Sequence, residues 1–376
     1  MYPSAEGQFL SEEQARALDD TFLASNPYQY FTSRIMSLID RYDRPTSGVS
    51  FAELGPTSLR GQFRNYLGWP DAKFEVSESD VAAQVAMDAL SVRQHAAEAL
   101  VRFCAVRLTP EASATAPCLW ADMATGPTQM ADVIRRLRER TNDPAAGESV
   151  FRALVPRERR EMGRRDPELV EACNVFVAWL AYAVQILSPG EIDTQAAHNK
   201  VKHGLAVRSR PDMRVGLVMA PIPDGDTIPI SAVRGPQSLD VFDRPVLEVL
   251  ARPTLDGHRQ GLEVSQLRLN PAALLAEAHM LAMTHGAFFH VAANDHFSGR
   301  SDLGQGCVPP AHPGYPVGGP LPEHIDADAA LGMRFSLTQP LGGGSVTRTT
   351  GIAYRDRFVT LHIDHVQDRR MRIVDD

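Results

Sequence analysis

Asp166 to Gly204 reads DPELVEACNVFVAWLAYAVQILSPGEIDTQAAHNKVKHG. Asp166-Pro167-Glu168 offers an N-cap followed by proline in the first turn, which opens a helix predicted to run to Leu187. Ser188-Pro189-Gly190-Glu191 repeats the device in the form of a capping box, with Glu191 three residues after the serine. The spacing predicts a second helix from Pro189 that stops at Gly204, the residue best able to adopt a left-handed conformation there. Two helices so nearly continuous require a sharp turn at Ser188, and a helical hairpin of this kind belongs in a bundle. The stretch Val175 to Leu187 is the most apolar of the chain. It is well short of the ~20 residues a bilayer needs, so a buried core helix is expected.

Working outward, Ser79 to Leu108 carries apolar residues near helical spacing from Val81 to Cys104 and is stopped by Thr109-Pro110. Gly126 to Arg140 reads as an amphipathic helix with a basic outer face, and Glu12 to Ser25 and Tyr28 to Tyr42 as shorter ones. After Arg210 the period changes. Strands are expected at Arg214–Met219, Thr227–Val233, Val246–Ala251 and Leu262–Leu269, separated by turn residues. Asn270-Pro271 caps one more helix to about Asn294. Ser298 to Glu323 is dense in glycine and proline and is expected to lack regular structure while packing over the surface. Strands return at Met333–Thr338, Ser345–Tyr354 and Phe358–His365. Gly342-Gly343-Gly344 has neither a Lys-Ser/Thr pair nor a following helix, so it reads as a turn and not a phosphate cradle.

The fold class that results is α+β: a helical bundle with an antiparallel β insertion at about 213–269 and a β-rich C-terminal region. The segments are an N-terminal helical part (1–75), the bundle (76–297), the Gly/Pro-rich loop (298–323) and the C-terminal strands (324–376).

The chain has 376 residues, 44% hydrophobic and 22% charged, with a net charge of −8. These values describe an ordinary folded protein and argue against indiscriminate grip on a phosphate backbone, while leaving room for a local basic patch. Cys104, Cys118, Cys173 and Cys307 form no CxxC pair and are expected as reduced thiols. The first residues lack a basic patch leading into an apolar run. A cytoplasmic protein with no membrane partner and no cofactor is expected.

The residues that can do chemistry cluster at the end of the quoted stretch. His198 and Lys202 are four apart, as are Asn199 and His203, so each pair shares a face. His203 is suited to act as a general base near neutral pH. Lys202 is suited to stabilise developing negative charge, and Asn199 to orient a substrate or the helix pair. On the long helix, His95, Glu98 and Arg102 face one way, and Glu98 can set a histidine tautomer and position the arginine. If both sets form one site, the two helices pack side by side and Glu98 or Arg102 reaches Asn199 or His203. The structural alternatives are plain: helix–helix hydrogen bonds for Asn and His, and an exposed Glu98–Arg102 pair. His95-x-x-Glu98 is also half of a carboxylate-bridged metal motif, without the further inward glutamates that such a site requires.

His198-Asn199-Lys200-Val201-Lys202-His203-Gly204 resembles the Arg-Asn-x-x-x-His motif, often followed by Gly, of the HEPN superfamily. The likeness lies in the Asn, the His, the Gly and their spacing. The first position departs, because His198 stands where the family carries its arginine, and Lys202 or Arg102 would have to provide that charge. The resemblance covers about 79–210, with the helix after Asn270 as a further member. It implies a small helical bundle, a metal-independent ribonuclease activity, RNA or a nucleotide as partner, and a homodimer. Two other readings stand beside it: a non-catalytic binding or scaffold protein, and a metal-dependent hydrolase using scattered histidines. His279, His285, His290 and His296 recur on the Asn270 helix at spacings that do not share a face. His362, Asp364 and His365 read as a polar sheet face. The run Arg157–Arg165, mixed with acids, reads as a solvated connector.

Overall fold

The computed structural model describes residues 10–43, 59–68, 77–108, 117–141, 147–161, 163, 165–203, 207–210, 213–218, 227–229, 231, 235–236, 238–243, 245–252, 254–255, 258–259, 261–304, 306–314, 319–337, 348–361 and 372–374. The helices are α1 (Glu12–Leu23), α2 (Pro27–Asp43), α3 (Leu59–Leu67), α4 (Glu78–Leu108), α5 (Leu119–Thr125), α6 (Met130–Thr141), α7 (Gly147–Leu154), α8 (Pro167–Leu187), α9 (Thr194–Lys202) and α10 (Pro271–Phe297).

Helix α4 is the axis of the bundle. Its buried residues lie on nearly every side, from Val81 and Val85 through Gln94, Leu100 and Phe103 to Leu108. It packs against α2, α6, α8, α9 and α10. A helix surrounded in this way has no polar face to display, hence its weak amphipathicity. Helices α1 and α2 contribute Leu23, Phe31 and Ile35 to the same core. Asp166 caps α8 through the Glu168 and Leu169 amides, and Asn270 caps α10 through the Ala273 amide. Both starts follow the sequence expectation. α8 spans 21 residues, longer than its most apolar part, and by length and composition alone it is long enough to cross a membrane. Its Leu169, Val175, Phe176, Trp179 and Ala183 are buried in the bundle.

Two helix starts differ from expectation. Residues 188–191 form no helix: Ser188 is extended and donates its hydroxyl to the Val184 carbonyl at 2.7 Å. Glu191, the intended box partner, instead accepts from Arg334 at 2.6 Å. α9 begins only at Thr194, where the Asp193 carboxylate accepts the Ala196 amide at 2.8 Å. An ion pair to an arginine that is 2% exposed holds Glu191 away from the local cap. Similarly, Gly126 ends α5 by donating to the Asp122 carbonyl, so the amphipathic helix expected from Gly126 starts at Met130.

The strands are β1 (Val207–Arg210), β2 (Val215–Val218), β3 (Thr227–Pro229), β4 (Ser238–Phe242), β5 (Val246–Ala251), β6 (Thr254–Leu255), β7 (His258–Arg259), β8 (Glu263–Arg268), β9 (Gly332–Ser336), β10 (Gly351–Ala353), β11 (Phe358–Thr360) and β12 (Arg372–Val374). Six of them form one antiparallel sheet in the order β1-β5-β8-β9-β10-β11. Strands β5 and β8 of the insertion and β9, β10 and β11 of the C-terminal region, separated in sequence by α10 and the loop, therefore share one sheet, joined where Gln266 of β8 pairs with Met333 of β9, while β2–β4, β6–β7 and β3–β12 pair separately. Alternation along β5 separates the faces. Leu247 and Val249 join the helical core, whereas Val246 joins Phe242, Met333 and Ile352 in a second cluster on the far face. Gly332 is required at the β8–β9 join, since a Cβ there would sit 2.3 Å from the Gln266 carbonyl oxygen.

The described part of 298–323 has no regular structure apart from one short 3-10 turn at Pro322–His324. It straps across the helices through the Trp179 indole N–H, which donates to the Pro320 carbonyl at 3.0 Å, and His290 Nδ1–H, which donates to Pro310 at 2.7 Å. The four cysteines are free. Burial pushes the Cys104 thiol up and that of Cys118 to about 11, so both stay protonated.

Candidate functional site

The two polar sets come together only in part. α4 and α9 pack side by side as expected, but the direct bonds from Glu98 or Arg102 to Asn199 or His203 do not form. Glu98 accepts from the Gln195 side chain at 2.8 Å. Arg102 turns away and donates to the Pro127 and Thr128 carbonyls at 2.9 and 3.1 Å, tying α4 to the turn before α6. Its guanidinium is spent on a structural task.

The quoted polar stripe also divides. Asn199, Lys202 and His203 are exposed, whereas His198 is buried with its Nδ1 unpartnered among the described residues. Burial lowers the His198 pKa, and Lys202, His95 and Arg93 add to this against the pull of Glu98. His198 thus stays neutral and faces the helix junction. That junction is held by Gln94, which is fully buried and donates to the Ile186 carbonyl, the Thr194 hydroxyl and the Gln195 side chain.

His95 gains a neighbour that the sequence did not indicate. Arg34 of α2 donates to His95 Nδ1 at 3.2 Å. A guanidinium has no acceptor, so Nδ1 must accept and the neutral ring carries its proton on Nε2. Tyr30 and Phe31 place their rings edge-on to it at 5.9 and 5.2 Å. Withdrawal from water by these rings, then the charges of Arg34 and Lys202, lower the His95 pKa despite Glu98. The site is a shallow surface assembled from α2, α4 and α9: Arg34, His95, Glu98, His198 and Lys202, with Asn199 and His203 toward the end of α9. None of these side chains lines the cavities beside Arg102, Tyr182, Leu269 or Cys173. Nothing in the local sequence links residue 34 to residue 95, because the contact depends on how α2 crosses α4.

The remaining histidines each have separate surroundings. His279 lies by Tyr28 and His290 by His312. His296 Nε2 meets the Asp20 carboxylate at 2.7 Å, where Arg300 also binds. His285 is enclosed by Phe31, Phe103 and Phe289. Among the described residues no three His, Cys, Asp or Glu side chains converge as a metal site would require. His362, Asp364, His365, Gly204 and the Gly342–Gly344 turn lie outside the described residues. The basic run is not simply solvated: Arg160 binds Asp295 of α10 at 3.0 and 2.7 Å, which fastens the connector to the bundle.

Burial drives His285 down to about 4, and His312 likewise. Both are neutral in the folded protein, while the unfolded chain takes up protons near the ordinary histidine value. Stability from these groups is therefore complete above about pH 6.5 and is lost as pH falls from there toward 4. Melting temperature is expected to drop across that window, and His285→Phe to reduce the slope. A slope unchanged in His285→Phe would place the titration elsewhere.

No family model, curated protein or solved structure matches this chain.

Proposed function

We propose that the surface where α2, α4 and α9 meet is a metal-independent phosphodiester-directed site of the HEPN type, acting on RNA. The observation that supports this reading most is the Arg34–His95 contact. It brings a permanent cation to the site from another helix, where the motif itself carries His198 instead of arginine. Arg34 and Lys202 attract the phosphate, and His95 offers its Nε2–H to a non-bridging oxygen. His203, exposed at the end of α9, accepts the proton of the ribose 2′-hydroxyl as its oxygen attacks phosphorus. The bond to the 5′-oxygen breaks, and His203 returns the proton to that leaving oxygen. The products are a 2′,3′-cyclic phosphate and a 5′-hydroxyl. An open surface suits a polymer better than a small molecule.

A short single-stranded RNA incubated in excess chelator tests this, with its 2′-deoxy counterpart as control. The parent is expected to cut only the ribose strand, and His203→Ala to lower the rate about 10²–10⁴-fold with an unchanged melting temperature. Arg34→Ala is expected to weaken it similarly. Cutting of the deoxy strand, or activity indifferent to His203 and Arg34, would sink the proposal.

One observation favours a second reading, a non-catalytic binding or scaffold bundle: His198, at the position of the family's arginine, is turned inward. No cleavage by the parent protein, together with lost stability in His198→Ala, would support that reading instead.

A further inference from the structure

A separate cavity lies by the start of α9. It measures about 360 Å³ and opens between α8, the start of α9 and the β10–β11 turn. Its size is that of a site for a small organic molecule. None of Arg34, His95, Glu98, Asn199, Lys202 or His203 lines it.

Two of its lining residues, Arg93 and Arg355, meet at a carboxylate set behind the wall. Glu277 of α10 is shared by two arginines: one carboxylate oxygen accepts from Arg93 Nη1 and the other from Arg355 Nη2, each at 2.9 Å. Arg355 Nη2 also donates to the Ile325 carbonyl at 2.9 Å. The side chains of Arg93, Arg355 and Glu277 are only 6%, 15% and 5% exposed. Two cations and one anion leave this buried group with one net positive charge.

The same arginines are incompletely matched. Apart from the Tyr182 hydroxyl, which stands beside Arg93, Arg93 Nε and Nη2 and Arg355 Nε and Nη1 are buried without a hydrogen-bond acceptor among the described residues. Buried donors are ordinarily matched, because a lost solvation shell is costly to leave unreplaced. On Arg93 the two open nitrogens are the side-on edge of the guanidinium, the parallel pair that fits two oxygens of one carboxylate or phosphate.

Arg93 and Arg355 line both this cavity and a smaller neighbour of about 50 Å³, whereas Glu277 lines only the smaller one. Glu191, at the rim, is held by Arg334 and Arg348, and Asp356 by Arg357. Burial raises the Tyr182 pKa, so its hydroxyl stays neutral beside the arginines. The rest of the wall includes Ile186, Leu331, Ala353, Tyr354 and Phe358.

We propose that this cavity binds a small organic anion, a carboxylate or phosphate carried on an apolar or aromatic body, with the oxyanion on Arg93 and Arg355. The proposal is independent of the RNA reading, since it uses none of the same residues.

Titration calorimetry on the full chain tests it, with benzoate, phenyl phosphate, inorganic phosphate and the neutral isostere benzamide as probes. Benzoate or phenyl phosphate is expected to bind while benzamide does not; which of the two binds identifies the head group. The double variant Arg93→Met/Glu277→Gln removes the fork without stranding a carboxylate, and is expected to weaken binding about 10–100-fold. Arg357→Gln at the rim is expected to change it by only about twofold. If the double variant does not fold, Leu331→Trp fills the cavity without touching a charge and is expected to abolish binding. No binding of either aromatic anion at about 10 mM overturns the site. Affinity unchanged in the double variant or in Leu331→Trp does the same, and inorganic phosphate binding as tightly as phenyl phosphate overturns the apolar body.

Discussion

Glu277→Ala is expected to destabilise the protein by about 3–5 kcal/mol, because removing one partner of a buried ion pair strands the others. Here the loss is double: Arg93 and Arg355 both depend on Glu277, and Arg93 is 5% exposed. The triad also joins the two halves of the fold, since Arg93 lies on α4, Glu277 on α10 and Arg355 just past β10. Denaturant unfolding followed by circular dichroism measures the cost. Arg93→Met/Glu277→Gln is expected to lose much less, because Arg93 is gone and the carbonyl oxygen of the introduced glutamine can still accept from Arg355. Equal losses in the two variants would show that the charge balance is not what holds this junction.

Phe103→Ala is the second large effect, at about 3–5 kcal/mol from lost transfer energy and the cavity left behind. Phe103 is fully buried, with the rings of Phe289, Phe288 and His285 at 5.1, 5.6 and 5.6 Å. Phe22 of α1 approaches at 6.4 Å. α1, α4 and α10 thus meet at one aromatic contact, and little is free to collapse into the gap. Phe103→Leu is expected to cost less, since more of the volume is retained. A loss below about 1 kcal/mol for Phe103→Ala would contradict the packing described here.

Both effects arise from residues that the sequence did not single out. Phe103 is one apolar residue among many on α4, and its value depends on which helices surround it. Arg93 and Glu277 are 184 residues apart. Arg34 and His95 are 61 apart. A charged residue in a helix looks the same in sequence whether it faces water or a partner from another element. The histidine-rich segment shows the converse. Its spacing correctly brings α9 against α4, but the side-chain directions divide it, with His198 inside and Asn199, Lys202 and His203 outside.

What the sequence determined by itself was local. Apolar spacing and the Asp166 and Asn270 caps specified α8 and α10, and the run from Val81 to Cys104 specified α4, because those signals act within a few residues of the backbone they direct. Period-two alternation located β5, β8 and β9 for the same reason, and the run of prolines and glycines kept the described part of 298–323 out of regular structure apart from the short turn at Pro322–His324. The tertiary structure decided the rest. It moved the start of α9 from Pro189 to Thr194, because the ion pair of Glu191 with buried Arg334 displaced a local capping box. It joined strands on either side of α10 into one sheet and turned Arg102 toward the α6 approach. It also left two arginines sharing one glutamate beside a cavity. Each of these outcomes depends on partners far apart in the chain, and burial makes such long-range pairings strong enough to override local preference.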